Sequence, residues 1–188
     1  VSEDLHMRSR LRLAVAVVAA TAVLTGCSAT PDDDVLADLG LDGLTGQEIV
    51  ERLDTSTDSR PLDFTASVRE DEVLVGDGSR EVAVPLEEGQ FYVSIAPYVD
   101  TTHECYLHSL ATCQGELIEE PVDVWITAAD GEVLVDESTT TYANGFVGFW
   151  LPEGIEGTIE ISQGDLGGTV PFTTTEGSPT CVTTLQLA

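Results

Sequence analysis

Eleven consecutive residues, His103-Glu104-Cys105-Tyr106-Leu107-His108-Ser109-Leu110-Ala111-Thr112-Cys113, gather two thiols and two imidazoles in a chain with only four cysteines and three histidines. Cys181 is the one further thiol in the C-terminal half. Thiolate sulfur is a soft donor and imidazole a borderline one. Cu(I) prefers them to carboxylate and tolerates low coordination numbers, so Cys105, Cys113 and Cys181 with His108 and His103 suit it chemically. On a helix, Cys105, Ser109 and Cys113 would form an i, i+4, i+8 stripe with His108 one step round. In a loop no such spacing applies. Cys181 joins the set only if the last strand returns beside this segment.

Other chemistry fits the same residues. An exported protein commonly oxidises its thiols, so a Cys105–Cys113 or Cys113–Cys181 disulfide is the default expectation. An odd thiol would then remain, because Cys27 reads as modified. Cys105, His108, Cys113 and Cys181 also make a Cys3His zinc set, although without the usual short paired spacings. His103 serves as readily as a hydrogen-bonding loop residue. A thiol-disulfide module would be expected to carry Cys-x-x-Cys, which is absent. A structural β-sandwich lipoprotein crosslinked by disulfide leaves the histidine clustering unexplained. No Gly-x-Ser-x-Gly, Walker loop or Gly-x-Gly-x-x-Gly occurs, so no catalytic residues are assigned. Trp125, Phe149 and Trp150 read as core. With 34 acidic against 7 basic residues, none of them lysine, the net charge is -27 and nucleic acid is a poor partner.

The elements that must position these residues follow in order. Met7 reads as the working start. Arg8, Arg10 and Arg12 precede an apolar run from Leu13 to Thr25, too short to span a bilayer, so residues 1–26 read as a signal peptide. Leu24-Thr25-Gly26-Cys27 resembles a lipobox, which makes Cys27 a lipidation site and places the chain on the outer face of the cytoplasmic membrane. Residues 27–34 read as a tether. Thr45-Gly46-Gln47-Glu48 is a capping-box pattern before Ile49, Val50 and Leu53, predicting short helices between 35 and 54. From Leu62 the period changes to two. Strands are expected at 64–68, 72–75, 81–84, 91–99, 122–126, 132–136, 146–151, 157–162, 168–172 and 181–187, with the clearest hairpin at Asp130-Gly131. The fold class is α+β, mainly β: a small N-terminal α+β region over 35–88 with a short helical segment, then an antiparallel β-sandwich-like metal-binding domain over 89–188.

The runs Tyr92-Val93-Ser94-Ile95-Ala96-Pro97-Tyr98-Val99, Thr102-His103-Glu104-Cys105-Tyr106-Leu107-His108-Ser109-Leu110 and Thr112-Cys113-Gln114-Gly115-Glu116-Leu117 resemble the CueP family of bacterial periplasmic copper-binding proteins. So do Thr139-Thr140-Thr141, Asn144-Gly145-Phe146-Val147-Gly148-Phe149-Trp150-Leu151-Pro152 and Pro179-Thr180-Cys181. The resemblance covers residues 90–188. It implies copper resistance, with metal held by Cys105, Cys113 and Cys181, and thiols able to reduce Cu(II) to Cu(I) stoichiometrically. It also implies a two-part architecture, a homodimer, and a copper-requiring exported client enzyme. The lipobox departs from the family, whose familiar members are soluble in the periplasm.

Overall fold

The computed structural model describes residues 31–188, with side chains from Asp34 onward. The expected leader, the lipobox and Cys27 lie outside the described residues. Helix α1 (Pro31–Asp38) begins within the stretch expected to be tether. Helix α2 (Gly46–Asp54) carries the expected capping box: Thr45 Oγ1 accepts from the Glu48 N–H, and the Glu48 carboxylate accepts from the Thr45 N–H at 2.8 Å. The hydrogen bond from the Thr45 backbone is the main reason the Glu48 pKa is lowered. Ile49, Val50 and Leu53 point inward at helical spacing, and Asp54 is buried with them.

Strands β1 (Thr65–Val68), β2 (Glu72–Gly76) and β3 (Glu81–Pro85) form an antiparallel sheet in that order. The turn into β3 passes through Gly78 at φ +89°, a conformation glycine adopts at no steric cost. The apolar face of α2 packs on this sheet, burying Ala66, Val68, Val73 and Val75.

The remaining strands make two facing layers. One has the order β10 (Cys181–Val182), β4 (Gln90–Ile95), β7 (Val147–Pro152), with β10 parallel to β4. The other is antiparallel, in the order β6 (Val133–Thr140), β5 (Pro121–Ala128), β8 (Glu156–Gln163), β9 (Leu166–Thr173). Alternate residues face one another across the core: Phe91, Val93 and Ile95 meet Val124, Ile126, Ile159 and Ile161. Period-two patterning leaves Asp123 and Trp125 on the outside of β5.

Strand β4 is buried on both faces, which is why its sequence is almost continuously apolar. Its odd-numbered residues fill the sandwich, while Tyr92 joins the N-terminal cluster with Leu110 and Ala111.

Three sequence expectations change. The strand expected to run to Val99 ends at Ile95, just short of Pro97, which has no N–H to donate to a ladder. The strand expected over 181–187 pairs continuously only at Cys181 and Val182, then meets its neighbour again through a single bridge between Tyr98 and Gln186. Trp125, expected in the core, is 44% exposed, because its position in the alternation points it to solvent.

Candidate metal centre

Residues 101–120 form neither helix nor long strand, so the helical stripe of Cys105, Ser109 and Cys113 does not arise. The segment is instead a loop held by backbone bonds to the N-terminal sheet. The Val68 N–H donates to His108 O at 2.8 Å, the Leu110 N–H to Ala66 O at 3.0 Å, and the Leu62 N–H to Ala111 O at 2.9 Å. These bonds cover the free edge of β1. At the start of the loop the Glu116 carboxylate accepts from the N–H groups of Val99, Asp100 and Thr101. The backbone bonds, Thr101 first, hold its pKa below the usual range.

Cys181 arrives from the other direction. Parallel pairing sets it beside Ser94, and its N–H donates to Tyr106 O at 3.2 Å. Thr180 pins the junction: its hydroxyl donates to Val68 O and accepts from the His108 N–H, both at 2.9 Å. One threonine therefore links the N-terminal sheet, the ligand loop and the last strand.

The ligand atoms of Cys105, His108, Cys113 and Cys181 all lie within 4.8 Å of one another. All of these residues but Cys105 are buried. Cys105 and Cys181 are joined in a disulfide, leaving Cys113 as the free thiol among the described cysteines. This corrects the expected Cys105–Cys113 or Cys113–Cys181 pairing. Chain proximity favours Cys113 as a partner, but the return of the last strand brings Cys181 to Cys105, with Cα atoms 5.7 Å apart. Cys113 Sγ stands 3.4 Å from Cys105 Sγ, and His108 Nδ1 is 3.9 Å from Cys181 Sγ.

His103 sits outside this group. Its ring lies edge-on to Phe146 with centroids 6.1 Å apart, and its Nε2 is buried without a hydrogen-bond partner. Phe146 also meets His108, at 4.6 Å, so the two imidazoles flank one buried phenyl ring.

On the far side of His108 lies a residue that sequence reasoning did not single out. Asp54, the last residue of α2, is fully buried, and its Oδ1 stands 2.9 Å from His108 Nε2. The same oxygen accepts from Asn144 Nδ2 at 2.7 Å. The other oxygen accepts from the Tyr92 hydroxyl at 2.7 Å and the Ser94 hydroxyl at 3.2 Å. Burial alone would raise the Asp54 pKa, but the His108 charge and the hydrogen bonds from His108, Tyr92 and Asn144 outweigh it and hold the pKa down. Burial likewise pulls the His108 pKa down, and the Asp54 carboxylate reverses that, raising it to about 9. The Tyr92 hydroxyl, buried beside the same carboxylate, is pushed well above its ordinary value. No sequence signal marked Asp54, since an acid at a helix C-terminus reads as solvent-exposed.

The donor set is soft: sulfur atoms and one imidazole nitrogen, with the buried carboxylate behind the imidazole. Such a set fits a copper(I) ion once the disulfide is reduced.

A family model described as "Periplasmic copper-binding protein CueP" matches residues 48–186. The chain belongs to the CueP family. A solved crystal structure of S.CueP is similar to it, at 39% identity and a TM-score of 0.82, covering 85% of this chain and 99% of that one. No curated protein matches the chain. The CueP family is one of periplasmic copper-binding proteins, and the mainly β fold with its Cys/His group is the form it takes here.

Proposed function

We propose that the fully reduced protein holds Cu(I) through Cys105, Cys113, Cys181 and His108, and that, when it meets Cu(II) instead, two of these thiols are spent in reducing it. The observation that carries this reading is the convergence of three sulfurs and one His108 ring nitrogen within 4.8 Å, three of the four residues being buried. Two thiols closing to one disulfide release two electrons and two protons, and each Cu(II) takes one electron. Reduced Cys105 and Cys181 would therefore convert two Cu(II) to two Cu(I) and become the disulfide. Cys113 would be left as thiolate with His108 to retain one Cu(I). The role is stoichiometric, serving copper resistance by sequestration, with a copper-requiring exported enzyme as client and a homodimer as the assembly. The 35–88 region acts as a support for the ligand half at 89–188.

The test is a Cu(I) competition titration on the reduced protein with its thiols counted. Cu(I) should displace Zn(II) stoichiometrically, because thiolates bind the softer ion better. Binding should strengthen as pH rises, since the metal competes with protons on sulfur and on His108. Zinc that survives a stoichiometric Cu(I) challenge favours the Cys3His zinc reading instead.

We also propose lipid attachment at Cys27, resting on the Leu24-Thr25-Gly26-Cys27 pattern and the basic-apolar leader before it. Cys27→Ser should move the protein from the membrane fraction to the soluble one or leave it unprocessed. An unmodified mature wild-type chain by mass spectrometry ends that idea.

A further inference from the structure

The ligand half of the chain does not complete its own centre. Cys105, His108, Cys113 and Cys181 all lie beyond residue 100, whereas the group that holds the far nitrogen of His108 comes from α2. We propose that Asp54 is the positioning residue of the copper centre, fixing His108 with its proton on Nε2 so that the Nδ1 lone pair faces the sulfurs. The inference rests on the copper reading above and names the residue that tunes it.

Three observations carry it. A carboxylate only accepts hydrogen bonds, so the 2.9 Å contact to His108 requires Nε2 to be the donor and leaves Nδ1 turned toward Cys181 Sγ at 3.9 Å. The carboxylate is itself immobilised by Asn144, Tyr92 and Ser94, and its residue is 0% exposed. The helix end that carries it is tied to the ligand loop: the Arg60 guanidinium donates to Leu53 O at 2.8 Å and to Leu110 O at 3.2 Å. Asp54 and His108 are therefore held from both sides. A carboxylate behind a metal-binding imidazole fixes its tautomer and makes its other nitrogen a stronger donor, and losing such a partner typically weakens metal binding about 10–100-fold.

The two available substitutions separate orientation from charge. In Asp54→Asn the amide oxygen still accepts from His108 and Asn144, while the amide N–H groups donate to the Tyr92 and Ser94 hydroxyls, which turn to accept. The Nε2–H tautomer should persist, and Cu(I) affinity should fall about 10-fold with the lost charge. In Asp54→Ala the imidazole loses its acceptor, its proton moves toward the thiolates on Nδ1, and affinity should fall about 100-fold.

The experiment reads both. Nitrogen-15 spectra of histidine-labelled, reduced, metal-free protein, taken above the imidazole pKa, report the tautomer. Competition against a Cu(I) chelator reports affinity, with circular dichroism to confirm folding. Loss of the Nε2–H tautomer in Asp54→Ala, with graded affinities, supports the assignment. A folded Asp54→Ala protein that keeps both the tautomer and its affinity overturns it, as does Asp54→Asn at wild-type affinity should the alanine variant not fold. A wild type that binds no Cu(I) defeats the copper reading, while the metal-free spectra still decide whether Asp54 orients His108.

Discussion

Cys105→Ser is expected to abolish Cu(II) reduction and to weaken Cu(I) binding by at least about 100-fold, the upper end of what loss of a supporting residue does. Cys105 is the sulfur common to the group: it is bonded to Cys181 and lies 3.4 Å from Cys113. It is also the most exposed of the cluster, so an arriving Cu(II) meets it first. Serine removes the thiolate and the disulfide together, leaving Cys113 and Cys181 as the sulfurs. By contrast, His103→Ala should only slow reduction, since His103 lies outside the group and against Phe146. The assay is the absorbance of a Cu(I)-specific chelator after Cu(II) is added to reduced, metal-free protein, with free thiols counted before and after. An unchanged thiol count in the wild type would mean that the cysteines bind copper without reducing it, and equal reduction by Cys105→Ser would mean that Cys105 is not the initiating thiol.

Phe146→Ala should produce the largest loss of stability, about 3–5 kcal/mol, the range for truncating a buried aromatic. For a chain of this size that corresponds to a fall in Tm of roughly 10 °C. Phe146 is fully buried, packs with Ala96, Cys113 and Cys181, and is flanked by both imidazoles. Collapse around it is restricted. The turn before it approaches the ligand loop at Gly145 and Gly115, where a Cβ built on Gly145 would stand 2.7 Å from the Gly115 carbonyl carbon. Denaturant midpoints at constant slope measure the effect. The cavity should also expose Cys113, so its alkylation in the folded, oxidised protein should accelerate. A loss below about 1 kcal/mol, outside the range for such a truncation, would show that the loop closes over the gap and that Phe146 only lines the site.

Much of this architecture was legible in the residues. The capping box at Thr45-Gly46-Gln47-Glu48 marked the start of α2, because that bond pair is local. Period-two alternation marked β5 and β8, and Asp130-Gly131 marked their neighbour's hairpin, because each is decided within a few residues. Strand ends were less legible. The strand at 91–99 looked longer than β4 because apolar composition continues past the point where Pro97 interrupts the ladder.

The donor types were likewise legible in the sequence, which offered Cys105, Cys113 and Cys181 with His108 and His103 as one candidate set. What chain order could not decide was which of them meet. Proximity along the chain favoured Cys105 with Cys113, yet the parallel return of β10 beside β4 joined Cys105 to Cys181. Asp54 is the clearest case. Its contact with His108 spans 54 residues and depends on α2 packing on the face of the sheet whose edge the ligand loop closes. A buried carboxylate is stabilised by partners from β4 and the Asn144 turn, each contributed by a different part of the chain. Local sequence specifies a side chain's chemistry and its secondary structure. Only the tertiary packing of these distant segments determines whether a helix-terminal aspartate meets water or a buried imidazole.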